Sequence, residues 1–440
     1  MTAPRVEAGA APPAPSSSEA LRYENRLLLI LFLAFGFVFF DRQALAFLAP
    51  YIDDEFGLSH TELGVLSGAL AFTWALSGMV IGRVSDRLGR RKPLLIAAVV
   101  LFSLFSAAGG LMAGFVGLFA ARALMGVAEG AVLPLSQSLM VEASQEHRRG
   151  LNMGLLQGSA AGLLGGIAAP LVVVWVAEQF GWRTVLLLTI VPGLLIAAWM
   201  ARSVREAPPG APRDRGRATA SAGAHGEVRT PVREVWGHRN IVLCTLAACC
   251  YLTWFVVIIT FTPVYLKDVK GFSSGTMSAV MTCFGVAWVL WGFLTPAISD
   301  RVGRRTTMIV FTSIAALCPL AVVFVDHPVL LGGVVVLTYT GLGCFTLIMA
   351  TIPAETVPRG ALATALGLVM GVGELTGGVL APLAAGWASD AWGLETAMYI
   401  SAGGAVAVVL LSFGLRETAP RVLRRRAAGT DATTTTGATA

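Results

Sequence analysis

The chain has 440 residues, 55% of them hydrophobic and only 13% charged, with a formal net charge of +6 and a mean hydropathy of +0.73. Soluble domains carry about twice that share of charge, so the composition excludes a soluble globular protein. Long apolar blocks in place of short alternating segments exclude a β-barrel.

Residues 1–22 are rich in Ala, Pro and Ser and lack a cleavable signal, so they are predicted to be a disordered cytosolic N-terminus. Twelve apolar segments follow, at 27–51, 61–82, 93–113, 116–140, 151–178, 183–202, 241–266, 275–299, 306–325, 329–352, 361–389 and 395–415. Most reach the roughly 20 residues that a membrane helix needs. The fold class is therefore an all-α integral membrane protein of twelve transmembrane helices. A stretch rich in Arg, Pro, Ala and Gly at 203–240 reads as a cytosolic linker between six-helix bundles at 23–202 and 241–416, and 417–440 as a disordered cytosolic tail. The six cysteines, Cys244, Cys249, Cys250, Cys283, Cys318 and Cys344, lie in apolar stretches and read as packing residues, with no metal site.

Of the 32 Lys and Arg, only Arg183, Lys267 and Lys270 fall on the side away from the termini, and Arg42 and Arg122 fall within segments. The positive-inside rule then places both termini in the cytosol of a plasma (inner) membrane. It also accounts for the basic charge with no nucleic-acid partner.

The halves repeat. Ala169-Pro170-Leu171, Trp175, Phe180-Gly181 and Thr184 are matched by Ala381-Pro382-Leu383, Trp387, Trp392-Gly393 and Thr396, at an offset of 212. Asp86-Arg87-Leu88-Gly89-Arg90-Arg91 is echoed by Asp300-Arg301-Val302-Gly303-Arg304-Arg305, at an offset of 214. Two pseudo-symmetric bundles of this kind enclose a cavity at their interface near the midplane.

Charges inside the segments point to that cavity. Phe39-Phe40-Asp41-Arg42-Gln43 interrupts the first segment, and a single charge at mid-membrane costs about 2.5–3.5 kcal/mol on insertion scales. Arg122 and Glu129 of the fourth segment are seven residues apart, two helical turns, and share a face. With both acids ionised the four charges balance. Protonating Asp41 or Glu129 leaves a positive site, and an arginine fork fits a carboxylate while keeping its own proton. The expectation is that Arg42 and Arg122 hold substrate while Asp41 and Glu129 carry protons. Glu374, within Gly371-Val372-Gly373-Glu374-Leu375-Thr376-Gly377-Gly378, is a further proton-coupling candidate. Gln43, Gln157, Tyr251, Trp254 and Tyr339 are further substrate-contact candidates. Gly126, Gly130, Gly154, Gly158, Gly162, Gly165 and Gly166 read as helix-packing positions.

At Gly82-Arg83-Val84-Ser85-Asp86-Arg87-Leu88-Gly89-Arg90-Arg91 the chain resembles the major facilitator superfamily, and the resemblance extends over about 27–416. In the second copy Pro296 stands in place of the glycine. The resemblance implies that Gly82, Asp86, Arg87, Gly89, Arg90, Arg91, Asp300 and Arg301 form a conformational latch. Within the superfamily, Asp41-Arg42 and Arg122…Glu129 resemble the anion:cation symporter family, with Phe39-Phe40 where that family often has Asn-Tyr. This implies proton-coupled symport of a small organic anion, such as a sugar acid, by alternating access. The chain would act as a monomer in the lipid bilayer, with protons as coupling ion and no cofactor. Spinster-like carriers share the four charges and make proton-antiport export of a lysolipid or drug the alternative. The five histidines, in loops or at segment ends, build no catalytic constellation, so no catalytic residue and no enzyme is expected.

Overall fold

The computed structural model describes residues 17–88, 90–145, 148–205, 232–358 and 361–424, apart from a few side chains within those helices. The membrane helices are α1 (Ser17–Phe56), α2 (His60–Leu88) and α3 (Lys92–Gly109). They continue as α4 (Phe115–Ala143), α5 (Leu151–Phe180), α6 (Trp182–Ser203), α7 (Arg239–Val269), α8 (Ser274–Val302), α9 (Arg304–Phe324), α10 (Pro328–Thr356), α11 (Thr364–Trp392) and α12 (Glu395–Phe413). Eleven of the described helices are long and apolar enough to cross a bilayer, and α2, with 29 residues, is a twelfth of that length. The helix starts follow local chemistry. Proline opens α3 and α10, where a missing amide costs nothing, and Ser273 caps α8 by accepting from the Thr276 amide at 3.2 Å. Gly181, Gly303 and Gly393 take positive φ at the turns between helices.

Two edges of the expected disordered segments are ordered instead. The first helix begins at Ser17, ten residues before the apolar run, because Glu24 is buried and accepts from Asn152 Nδ2 at 2.6 Å. Past residue 416, Glu417 accepts from the Arg304 amide at 2.8 Å and so caps α9. A short helix, Val232–Trp236, occupies the end of the expected linker. The rest of the linker from 206 to 231, residues 1–16 and 425–440, Gly89, and the side-chain positions of Gly82, Asp86 and Arg87 lie outside the described residues.

Helices α5 and α11 each widen into a π-helical stretch, Ala161–Ala168 and Glu374–Leu380, immediately before Ala169-Pro170 and Ala381-Pro382. A proline has no amide to donate and needs room in the turn before it, so the wider turn recurs where the sequence repeats.

These helices also form the seams between the halves. A Cβ on Gly166 of α5 would lie 2.7 Å from Gly285 Cα of α8, and one on Gly64 of α2 would run into the Pro382 carbonyl of α11. Ser278 donates to the Pro170 carbonyl across the first seam at 2.8 Å. Across the second, Asp390 accepts from the His60 and Thr61 amides, each at 2.9 Å. Both sets of contacts lie toward the face opposite the termini. Toward the terminal face the same helix stripes continue as Gly154 and Gly158 of α5 and Gly367 and Gly371 of α11, where a Cβ would meet nothing within 4 Å. The halves thus touch at one face and separate at the other. Gly154 and Gly158, expected to be packing positions, border the gap instead, whereas Gly126, Gly130, Gly162, Gly165 and Gly166 do sit in close contacts.

Candidate substrate and proton site

The polar break in α1 sends neighbouring side chains to different places. Asp41 is fully buried and turns into the first half, where Ser106 of α3 donates to its Oδ1 at 2.5 Å. The Thr189 hydroxyl of α6 lies 3.0 Å from Ser106 Oγ and 2.6 Å from the Leu186 carbonyl, and its single hydrogen serves one of the two at a time. Arg42, one residue on, is only partly buried. Its guanidinium lies over the Trp74 ring of α2 at 5.4 Å and near the Phe39 ring at 6.0 Å, a cation–π seat that holds it at the boundary between the halves.

The fourth helix supplies the other two charges. Gly126 and Gly130 let α4 approach α2 so closely that a Cβ on Gly126 would lie 2.5 Å from the Leu70 carbonyl. The approach places Glu129, fully buried, within electrostatic range of Asp41, Arg42 and Arg122. Arg122 is buried two turns away and interacts with Asp41, Arg42 and Glu129. A small cavity of about 10 Å³ separates Arg122 from Ser106 and is closed by Leu45, Gly109 and Met125. Asp41 Oδ2, Arg122 Nη2 and both Glu129 oxygens have no hydrogen-bond partner among the described residues. These are therefore not two ion pairs tying α1 to α4. An unpartnered buried polar atom costs about 1–3 kcal/mol, and the cluster has several.

Glu374 enters from the second half. It opens the π-helical stretch of α11, is 7% exposed, leaves Oε2 without a partner and interacts electrostatically with Arg42. A group from each half thus flanks the boundary.

The other candidates separate. Gln43 is buried beside the cluster, and Gln157 is exposed between Gly154 and Gly158 at the open end of α5. Tyr251, Trp254 and Tyr339 form a buried aromatic group with ring centroids 5.4 Å (Tyr251–Trp254) and 4.9 Å (Trp254–Tyr339) apart. Trp254 donates to the Ala315 carbonyl at 3.1 Å, whereas both tyrosine hydroxyls have no hydrogen-bond partner among the described residues. The group reaches the first half through Tyr251–Phe255, Phe255–Trp288 and Trp288–Phe39 contacts. Of the latch residues, Arg90 and Arg301 are exposed and Arg91 pairs with Glu142 in its own half. Asp300 pairs with Arg304 at 2.7 Å, and Arg304 in turn with Glu355 at 2.9 Å, so this copy braces α8, α9 and α10 within the second half. All six cysteines are free, and no group of three or more His, Cys, Asp or Glu among the described residues is placed to hold a metal ion.

Sequence reasoning missed Ser106, Thr189 and Trp74. Ser106 shares its apolar helix with Ser103, and Thr189 shares its own with Thr184, so nothing in the sequence tells the hydroxyl that meets Asp41 from its neighbours.

Paired six-helix halves, glycine seams on one face and buried charged side chains without hydrogen-bond partners among the described residues point to a membrane transporter. The Major Facilitator Superfamily profile matches residues 31–379, and the chain belongs to that family. It is a transporter and not an enzyme. Among its relatives is the hexuronate transporter of Bacillus subtilis (strain 168), 30% identical over 284 residues. That match covers 64% of this chain and 65% of the relative, just under two thirds of its length. The D-galactonate transporter of Escherichia coli O6:H1 is 25% identical over 413 residues, covering 87% of this chain and 94% of the relative. The solved structure of a bacterial homologue of the human lysosomal transporter Spinster superposes with a TM-score of 0.68. At 20% identity, over 89% of this chain and 95% of that one, it shares the fold.

Proposed function

We propose that the chain is a proton-coupled symporter of a small organic anion, a sugar acid or related carboxylate, working by alternating access as a monomer without a cofactor. Both termini face the cytosol of the plasma (inner) membrane, so the open face is the cytosolic one. The observation that carries the reading is the buried cluster of Asp41, Glu129 and Arg122, unpartnered at four atoms, behind a partly exposed Arg42. Arg42, backed by Arg122, attracts the carboxylate, and Glu129 and Asp41 take up the protons that leave the arginines unbalanced. Glu374 faces the same guanidinium from the other half and adds a proton or a contact to a substrate hydroxyl. The names of the hexuronate and D-galactonate transporters support this substrate class.

The test is uptake of labelled D-galactonate and a hexuronate into proteoliposomes under an inward proton gradient. Arg42→Ala is expected to reduce uptake by roughly 100-fold, about 2.7 kcal/mol of lost stabilisation, and Glu129→Gln to abolish its dependence on the gradient. Unchanged proton-driven uptake in both variants overturns the scheme. Wild-type export of a lysolipid against a proton gradient, with no uptake of either acid, favours the antiport alternative.

A further inference from the structure

Asp41 is held by the Ser106 hydroxyl, which is backed in turn by Thr189, from two helices with no other part in the charged cluster. Ser106 of α3 donates to Oδ1 at 2.5 Å, and Thr189 of α6 lies 3.0 Å behind Ser106 Oγ; all three residues are buried. From these contacts we infer that Ser106, supported by Thr189, is the positioning residue that sets the proton affinity of Asp41, which deepens the proton-carrying role proposed above and rests on it.

The physical ground is what else faces that carboxyl. Arg122 and Glu129 of α4 are the charged groups in range, and neither bonds to it. The charged residues of the other helices around α1 (Glu178 of α5, Arg183 and Arg202 of α6, Arg239, Lys267 and Asp268 of α7) stand at the helix ends. Ser106 is therefore the one hydrogen-bond donor that the described residues give Asp41. A donor stabilises the ionised carboxylate more than the neutral acid. Thr189 acts one step further out: when its hydrogen turns from the Leu186 carbonyl to Ser106 Oγ, it directs the Ser106 hydrogen toward Asp41.

Infrared titration of the purified protein reads this without any substrate. The carboxylic C=O band that Asp41→Asn removes reports Asp41. In Ser106→Ala its pH midpoint is expected to move up by about one unit, the size of a hydrogen bond to a charged group, with the band at higher frequency. Thr189→Val is expected to give a smaller shift of the same sign, and Ser106→Thr to restore the wild-type midpoint. A merely structural role for Ser106 would lower the melting temperature and leave the midpoint in place. An unmoved midpoint in folded Ser106→Ala and Thr189→Val overturns the inference while leaving Asp41 as a titrating group. If Asp41→Asn removes no titrating band, the proton-carrying role of Asp41 fails, and the inference with it. If Ser106→Ala does not fold, Thr189→Val and Ser106→Cys decide by the same midpoint.

Discussion

In the first half, the space between α1 and α4 holds Asp41, Arg122 and Glu129. At the corresponding place in the second half, 212 to 214 residues further on, Trp254 of α7 lies over Gly341 of α10, so close that a Cβ on Gly341 would come within 2.7 Å of the indole ring. Tyr251, Phe284 and Tyr339 complete that apolar filling. The same helical frame thus carries unsatisfied charge on one side and dense aromatic packing on the other. Duplication preserves the Gly165-Gly166 and Gly377-Gly378 pairs and the Ala-Pro turns that follow them, and leaves the interior free to diverge. In the function proposed above the charged half binds and titrates, and the aromatic half is the wall that faces it.

The sharpest way to break that contrast is to disturb the packed half. Gly341→Ala inserts a methyl group against the Trp254 ring. Overpacking of this kind costs about 1–3 kcal/mol, so the melting temperature of the purified protein should fall; an unchanged value means that the second half yields as readily as the first.

A smaller effect separates the helix tips. Ser59 and Glu62 cap the start of α2, where Ser59 Oγ accepts from the Glu62 amide at 3.1 Å and Glu62 Oε2 accepts from the Ser59 amide at 2.9 Å. Asp390 takes the next two amides from the other half. At the equivalent tip of α8, Ser273 serves alone, and Glu178, which stands 212 residues before Asp390, makes no hydrogen bond to that turn among the described residues. Asp390→Ala should cost about 1 kcal/mol, and hydrogen exchange at His60 and Thr61 should rise about fivefold while exchange at 274–276 stays as it was. Equal changes at both tips would erase the asymmetry.

The smallest effect tests the aromatic wall for hidden polarity. Because the Tyr339 hydroxyl is buried without a partner among the described residues, Tyr339→Phe should leave stability and uptake within about 0.5 kcal/mol of wild type, or raise stability. A large loss of uptake would give that hydroxyl a substrate to bind.

Much of this architecture is legible in the chain. Helix number follows from apolar length, the halves from the Ala-Pro and Asp-Arg repeats, and the site from charges that no lipid-facing helix tolerates. Two things are not. Neighbouring residues Asp41 and Arg42 point about 100° apart on a helix, and only the packing around α1 decides which of them meets Ser106 and which meets Trp74. The widening of α5 and α11 is likewise invisible in composition. A proline near mid-helix announces a disturbance there, without saying whether the turn kinks or broadens.

The bond between Asp390 and the tip of α2 bears on how fast the molecule can cycle. A clasp sealed in hydrocarbon would strand a carboxylate and two amides each time it let go, and the carrier would stall on one side. This one sits at the rim, with the His60 and Asp390 side chains 33% and 31% exposed, so water takes over each bond as it parts. The cost of release is then the small difference between two nearly equal hydration states, which suits a seam that the proposed alternating access would open on every turnover.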